Sequence, residues 1–226
     1  MRQISRFSTS ALTGTAIISV LILVSSPAAA STIWTTWTSA TPGTPGSASG
    51  SLNSVTVLYS GEVILAGGGS LDWSDPASSF IGGTSTTSPS TVGDIITLQG
   101  ATGINTLTFS SPIVDPVIAI WSLGQPGTPA TFTFAETPTF EAGGPDEFGG
   151  AAITVAGDVV TGMEGSGVVQ FTGTFSSISW TDTPEFFYGF TVGEAGAIST
   201  APEPAAFTLL GAGLAGLGVM RRRNAR

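Results

Sequence analysis

Between Ser31 and Ala201 the chain contains no lysine, arginine, histidine or cysteine. Its six basic residues are all arginines, at Arg2, Arg6, Arg221, Arg222, Arg223 and Arg226. Every acidic residue except Glu203 lies inside that base-free stretch. Side-chain ion pairs therefore cannot form there, and no disulfide can staple it. The fold has to rest on apolar burial and hydrogen bonds. Each carboxylate must be solvated, hydrogen-bonded to the chain or bound to a cation from outside. A stretch of about 170 residues is long enough for one such core.

The hydrophobic pattern favours strands. Val117 to Trp121 is apolar on both faces, as expected of a central strand covered on both sides. Phe132 and Phe134 share a face. Val169, Phe171 and Phe175 share another, as do Phe186, Tyr188, Phe190 and Val192. Parity breaks between Phe175 and Ile178, which predicts a bulge at Ser176-Ser177. The segments 94–98, 104–109, 116–123, 130–135, 151–155, 158–163, 167–175, 178–181 and 185–192 read as strands, and most are separated by Gly, Pro, Asp or Ser. Residues 54–66 read as a strand pair or one bent strand broken at Gly61. Residues 41–46 read as a loop, and 67–93 as a long polar loop region. No helical period stands out. The expectation is an all-β, antiparallel β-sandwich, jelly-roll-like, flanked by an N-terminal signal helix and a C-terminal transmembrane helix.

Composition excludes much chemistry. Without His or Cys the body has no Ser-His-Asp or Cys-His site and no ordinary zinc site. Without Lys or Arg it cannot form a Schiff base, clamp a phosphate or neutralise a nucleic acid. The glycines at 67–69 lack the lysine of a phosphate loop and read as a flexible loop. Two carboxylates can hydrolyse a glycoside, but Asp72, Asp75, Glu136, Glu141, Asp146, Glu147, Asp182 and Glu185 are scattered, and their spacing singles out no acid and nucleophile. No cofactor is expected, with calcium as the exception to weigh. Asp72 and Asp75, and the Asp146-Glu147 pair, supply the oxygen donors calcium takes, but they are equally ordinary turn sequences. Trp121 and Trp180 lie in apolar strands and read as core. Trp34, Trp37 and Trp73 lie in looser sequence and are the better candidates for exposed, sugar-stacking rings.

Both ends read as targeting segments. Arg2 and Arg6 precede an apolar run from Ala11 to Val24, and Ala28 and Ala30 form a small-x-small site for signal peptidase. This gives a signal peptide over 1–30 and a body over 31–201. The segment 202–226 opens with Pro202-Glu203-Pro204, continues as an uncharged run from Ala205 to Met220, and reaches Arg221-Arg222-Arg223. As a helix the run reaches roughly 24 Å, short of a hydrocarbon core of about 30 Å. It suits a transient stop in the inner membrane, with the arginines held inside.

This tail resembles the sorting signal of PEP-CTERM proteins, which bacterial exosortases recognise. The body is also similar to that of a recurrent group of exported PEP-CTERM proteins, at Pro116–Gly124 (PVIAIWSLG), Gly165–Trp180 (GSGVVQFTGTFSSISW) and Gly189–Gly193 (GFTVG). The resemblance implies a β-sandwich of no assigned activity. It also implies processing by exosortase near Pro202-Glu203-Pro204, and a place at the surface or in the extracellular polysaccharide matrix of a Gram-negative bacterium. The reading is a non-catalytic exported protein. A glycan- or calcium-binding module is the alternative, and a carboxylate-dependent glycoside hydrolase the weaker one.

Overall fold

The computed structural model describes residues 31–66, 73, 76–90, 94–101 and 103–195. In chain order the strands are β1 (Ile33–Trp34), β2 (Thr36–Thr41), β3 (Gly43–Leu52), β4 (Val55–Val63), β5 (Leu65–Ala66), β6 (Ile96–Leu98), β7 (Asn105–Val114) and β8 (Pro116–Leu123). They continue as β9 (Ala130–Phe134), β10 (Thr139–Gly144), β11 (Thr154–Ala156), β12 (Val159–Gly162), β13 (Gly165–Gln170), β14 (Thr174–Asp182) and β15 (Tyr188–Glu194). Seven strands form one sheet in the order β10-β13-β8-β15-β6-β5, with β1 also pairing β15. Eight form the other, in the order β11-β12-β9-β14-β7-β4-β3-β2. Every pairing between these strands is antiparallel.

The two sheets close on one apolar core. The eight-stranded sheet contributes Val57, Tyr59, Leu107, Phe132, Phe134, Ile178 and Trp180; the seven-stranded sheet contributes Ile96, Ile118, Ile120, Val169, Tyr188, Phe190 and Val192. Alternation puts these residues inward and their neighbours outward. β8 is the exception the sequence announced. Ile118 and Ile120 face the core, while Val117, Ala119 and Trp121 enter a second cluster on the opposite face with Trp73, Phe80 and Ile95. The described part of the polar region 67–93 forms the lid of that cluster. It carries a single 3-10 turn, Ala77–Phe80. Its hydroxyls pin it down: Ser79 Oγ donates to the Pro145 carbonyl (2.6 Å), Ser85 Oγ to Phe80 (2.7 Å) and Ser88 Oγ to Trp73 (2.8 Å).

The outer face of the eight-stranded sheet is a field of hydroxyls. The register aligns Thr41, Ser47, Ser60, Thr106 and Ser179 across five strands, and Ser39, Ser49, Leu58, Thr108 and Ser177 across the same five. The inward residues between them are Ala48, Tyr59, Leu107 and Ile178. No charged side chain interrupts either row.

Several expectations need correction. Residues 167–175 are not one strand: β13 ends at Gln170, and the chain crosses to the other sheet through Gly173, whose φ of +127° suits glycine alone. The register does slip between Phe175 and Ser177, at the expected bulge. Phe186 precedes β15 and is 69% exposed, whereas Tyr188, Phe190 and Val192 are buried together. The proline- and glycine-rich residues 41–46 belong largely to the β2–β3 hairpin, and the β3–β4 register slips there, between Gly43 and Gly46. The break in residues 54–66 falls at Ile64 rather than Gly61. The signal helix and the transmembrane helix lie outside the described residues.

Candidate functional site

The residues the sequence singled out do not converge. Ala28, Ala30, Asp72, Asp75, Pro202, Glu203, Pro204, Arg221, Arg222 and Arg223 lie outside the described residues. Asp146 is buried and accepts hydrogen bonds from Phe148 N (2.9 Å) and Ser166 Oγ (3.0 Å). The first closes an Asx-type turn, the ordinary use of an aspartate after proline. The adjacent Glu147 accepts from the Trp121 indole at 2.9 Å. The two carboxylates thus serve different partners. Among the described residues no group of three or more acidic side chains is placed to hold a metal. The exposed-tryptophan expectation is overturned at Trp73, while Trp34 and Trp37 are half-buried. Trp73 is 1% exposed, Trp34 packs on the second cluster with its indole donating to Thr87 (2.9 Å), and Trp37 packs edge-on to Phe190. Trp121 and Trp180 are core, as read.

The structure instead assembles a site that the spacing hid. Where β8 ends and β13 and β15 begin, Ser122, Gln125, Pro126, Phe148, Glu164, Glu185, Phe186 and Phe187 line a cleft of about 280 Å³. Four short connections converge there. Ser122 and Glu164 both sit at left-handed backbone angles, φ +55° and +53°, which non-glycine residues adopt at a cost of order 1 kcal/mol. They are tied to each other, Ser122 Oγ donating to Glu164 Oε2 at 2.7 Å. Beneath them Ser122 N donates to Ser166 Oγ (3.0 Å), which donates on to Asp146. Asp146 therefore braces the cleft from below rather than lining it.

Glu185 accepts the Gly124 N–H, and its carboxyl is raised from 4.5 to about 7. Burial is the main cause, the Gly124 bond opposes it, and the charge of Glu164 adds to it. Near neutral pH Glu185 thus holds or releases a proton with small changes in surroundings. The aromatic rings form one wall: Phe187 lies 5.6 Å from Trp121, 6.0 Å from Phe148 and 5.4 Å from Phe186, centroid to centroid. Phe148 is 53% and Phe186 69% exposed. Only Glu185 of these was among the sequence candidates. The available signal was a glutamate followed directly by phenylalanine, Glu147-Phe148 and Glu185-Phe186, a dipeptide that occurs twice in a chain of few charges.

A second acidic group occupies the inter-sheet space near the same end. Asp182 Oδ2 accepts from Asn105 Nδ2 (3.1 Å), while its buried Oδ1 has no partner. The Tyr59 hydroxyl lies 2.6 Å from Asn105 Oδ1 and 2.8 Å from the Glu62 carbonyl. Glu62 accepts from the backbone N–H groups of Gln99 (2.8 Å) and Ala101 (2.9 Å).

The family model of the PEP-CTERM protein-sorting motif matches residues 200–223. No curated protein and no solved structure matches the chain. The chain carries the PEP-CTERM sorting motif, which marks it as an exported protein held transiently at the membrane and processed by an exosortase.

Proposed function

We propose that the body is a non-catalytic β-sandwich of the cell surface or extracellular matrix, released after export to lie against extracellular polysaccharide. The observation that carries this reading is the hydroxyl face of the eight-stranded sheet. Strands about 4.8 Å apart present Ser and Thr in register, with side chains on one face repeating every 7 Å or so. An uncharged, hydrogen-bonding plane of this kind complements a polyhydroxylated chain and gives no purchase to an anion. The strands from β7 to β10 alternate between the sheets, as do β12 to β15, which supports reading the sandwich as jelly-roll-like. In this account residues 1–30 are the signal peptide, cleaved after Ala30, and 202–226 the sorting segment of a Gram-negative envelope protein.

Two results are expected. The intact mass of secreted protein should lack Ala205–Arg226; a complete C-terminus in the medium would count against the processing step. Replacing Thr106 and Ser179 together by glutamate should weaken co-sedimentation with the producing cell's polysaccharide by about tenfold, with an unchanged circular dichroism spectrum. Equal retention of the charged variant would sink the surface reading. The hydrolase alternative draws on Glu164 and Glu185 sharing one cleft. Release of the leaving group from aryl glycosides, abolished by Glu185→Gln, would replace the non-catalytic reading with that one.

A further inference from the structure

We propose that the cleft between Glu164, Glu185 and the phenylalanine wall binds an organic ammonium cation. This goes beyond the surface reading, which concerns the other sheet. The argument begins with charge. Two carboxylates line the cleft, and the body from Ser31 to Ala201 offers no basic side chain to balance them. The hydrogen bonds that position them, from Ser122 Oγ and Gly124 N, come from neutral donors and use Oε2 of each. A charge that meets them directly has to come from outside the body, as a proton or a cation.

The lining chooses among cations. Calcium seeks six to eight oxygen ligands; here much of the wall is aromatic carbon, and among the described residues no third acidic group joins the pair. An ammonium group bearing carbon substituents fits both halves of the lining. Its charge meets the carboxylates, and its methylene or methyl groups meet ring faces by cation–π attraction. The rings are arranged for this. Phe187 stands at 81° to Phe148 and 59° to Phe186, so the wall presents faces in more than one direction. Phe148 and Phe186 are about half exposed or more, although the sandwich buries other phenylalanines such as Phe132, Phe171 and Phe190 completely. The volume of about 280 Å³ is near the lower end for small-molecule pockets, which suits a single ammonium head group. A neutral sugar carries no charge to meet the two carboxylates.

The test uses the full chain titrated at pH 8 by calorimetry with choline and with its uncharged isostere 3,3-dimethyl-1-butanol. Choline should bind at least about tenfold more tightly than the isostere. Phe186→Ser, at a position that is 69% exposed, should weaken choline binding several-fold with an unchanged circular dichroism spectrum. Glu164→Gln should do the same and erase the preference over the isostere. Equal affinity for both probes, or choline binding untouched by Phe186→Ser, would overturn the proposal. So would saturable calcium or glucose binding lost in Glu164→Gln while choline gives no heat. Polysaccharide retention by the hydroxyl face should be unaffected by Phe186→Ser, so the two readings fail separately.

Discussion

Trp180→Ala should cost about 3–5 kcal/mol of stability, measured as a lowered midpoint of urea unfolding at unchanged slope. Trp180 is 2% exposed at the centre of the inter-sheet core. Its ring lies 4.9 Å from Phe190 of the seven-stranded sheet. It also lies 6.0 Å from Tyr59 and 5.7 Å from each of Phe132 and Phe134, all of the eight-stranded sheet. Truncation removes a large ring packed between the two sheets and leaves a cavity walled by rigid rings. With neither disulfides nor side-chain ion pairs in the body, apolar packing of this kind carries the contact between the sheets. Trp180→Phe should cost much less, on the order of 1–2 kcal/mol, because the buried indole N–H has no hydrogen-bond partner to lose. An alanine variant within about 1 kcal/mol of the native protein would show that the sheets are not held through this cluster.

Period-two alternation made this core readable wherever a strand has one face in and one face out. Phe132/Phe134 and Tyr188/Phe190/Val192 were placed correctly for that reason. So was β8, whose apolar character on both faces demanded two covers. The reading failed where the chain changes sheets. Val169, Phe171 and Phe175 keep a common parity across residues 170–174, but alternation cannot report that Gly173 sends the chain from one sheet to the other. It failed again at Trp73. A tryptophan amid glycine and serine reads as exposed, yet the outer face of β8 needs a lid, and Trp73 with Phe80 supplies it edge-on at 4.9 Å.

The cleft was less readable still, for a topological reason. Ser122 sits near the end of β8, and Phe148, Glu164 and Glu185 come from three separate connections, brought together only because β13 and β15 flank β8. Nothing local in the sequence records that neighbourhood. Asp146 shows the converse: it was a good candidate by type and spacing, and the fold uses it to hold Ser166 and the Phe148 turn.

The protein should be more stable at pH 5 than at pH 8, the reverse of ordinary acid denaturation. Burial raises the Asp182 carboxyl from 3.8 to about 6, with the Tyr188 hydroxyl and the Asn105 amide pulling back and the charge of Glu62 adding to the rise. The Glu185 carboxyl stands at about 7. Each folded group therefore keeps a proton that the unfolded chain has already released. Its contribution is complete below the unfolded value near pH 4 and is lost as pH rises through about 6 for Asp182 and about 7 for Glu185. Asp94 and Asp146 are raised in the same direction, again chiefly by burial. No basic side chain in the body opposes the trend. Allowing for solvent screening of these part-exposed groups, the loss between pH 5 and pH 8 should be about 2 kcal/mol. Urea titrations across that range provide the measurement. Asp182→Asn supplies a neutral group in place of the carboxyl whose Oδ1 is buried without a partner. It should flatten the slope around pH 6, and Glu185→Gln should flatten it around pH 7. A native protein equally stable at both ends, or a double variant with the native slope, would place the titrating groups elsewhere.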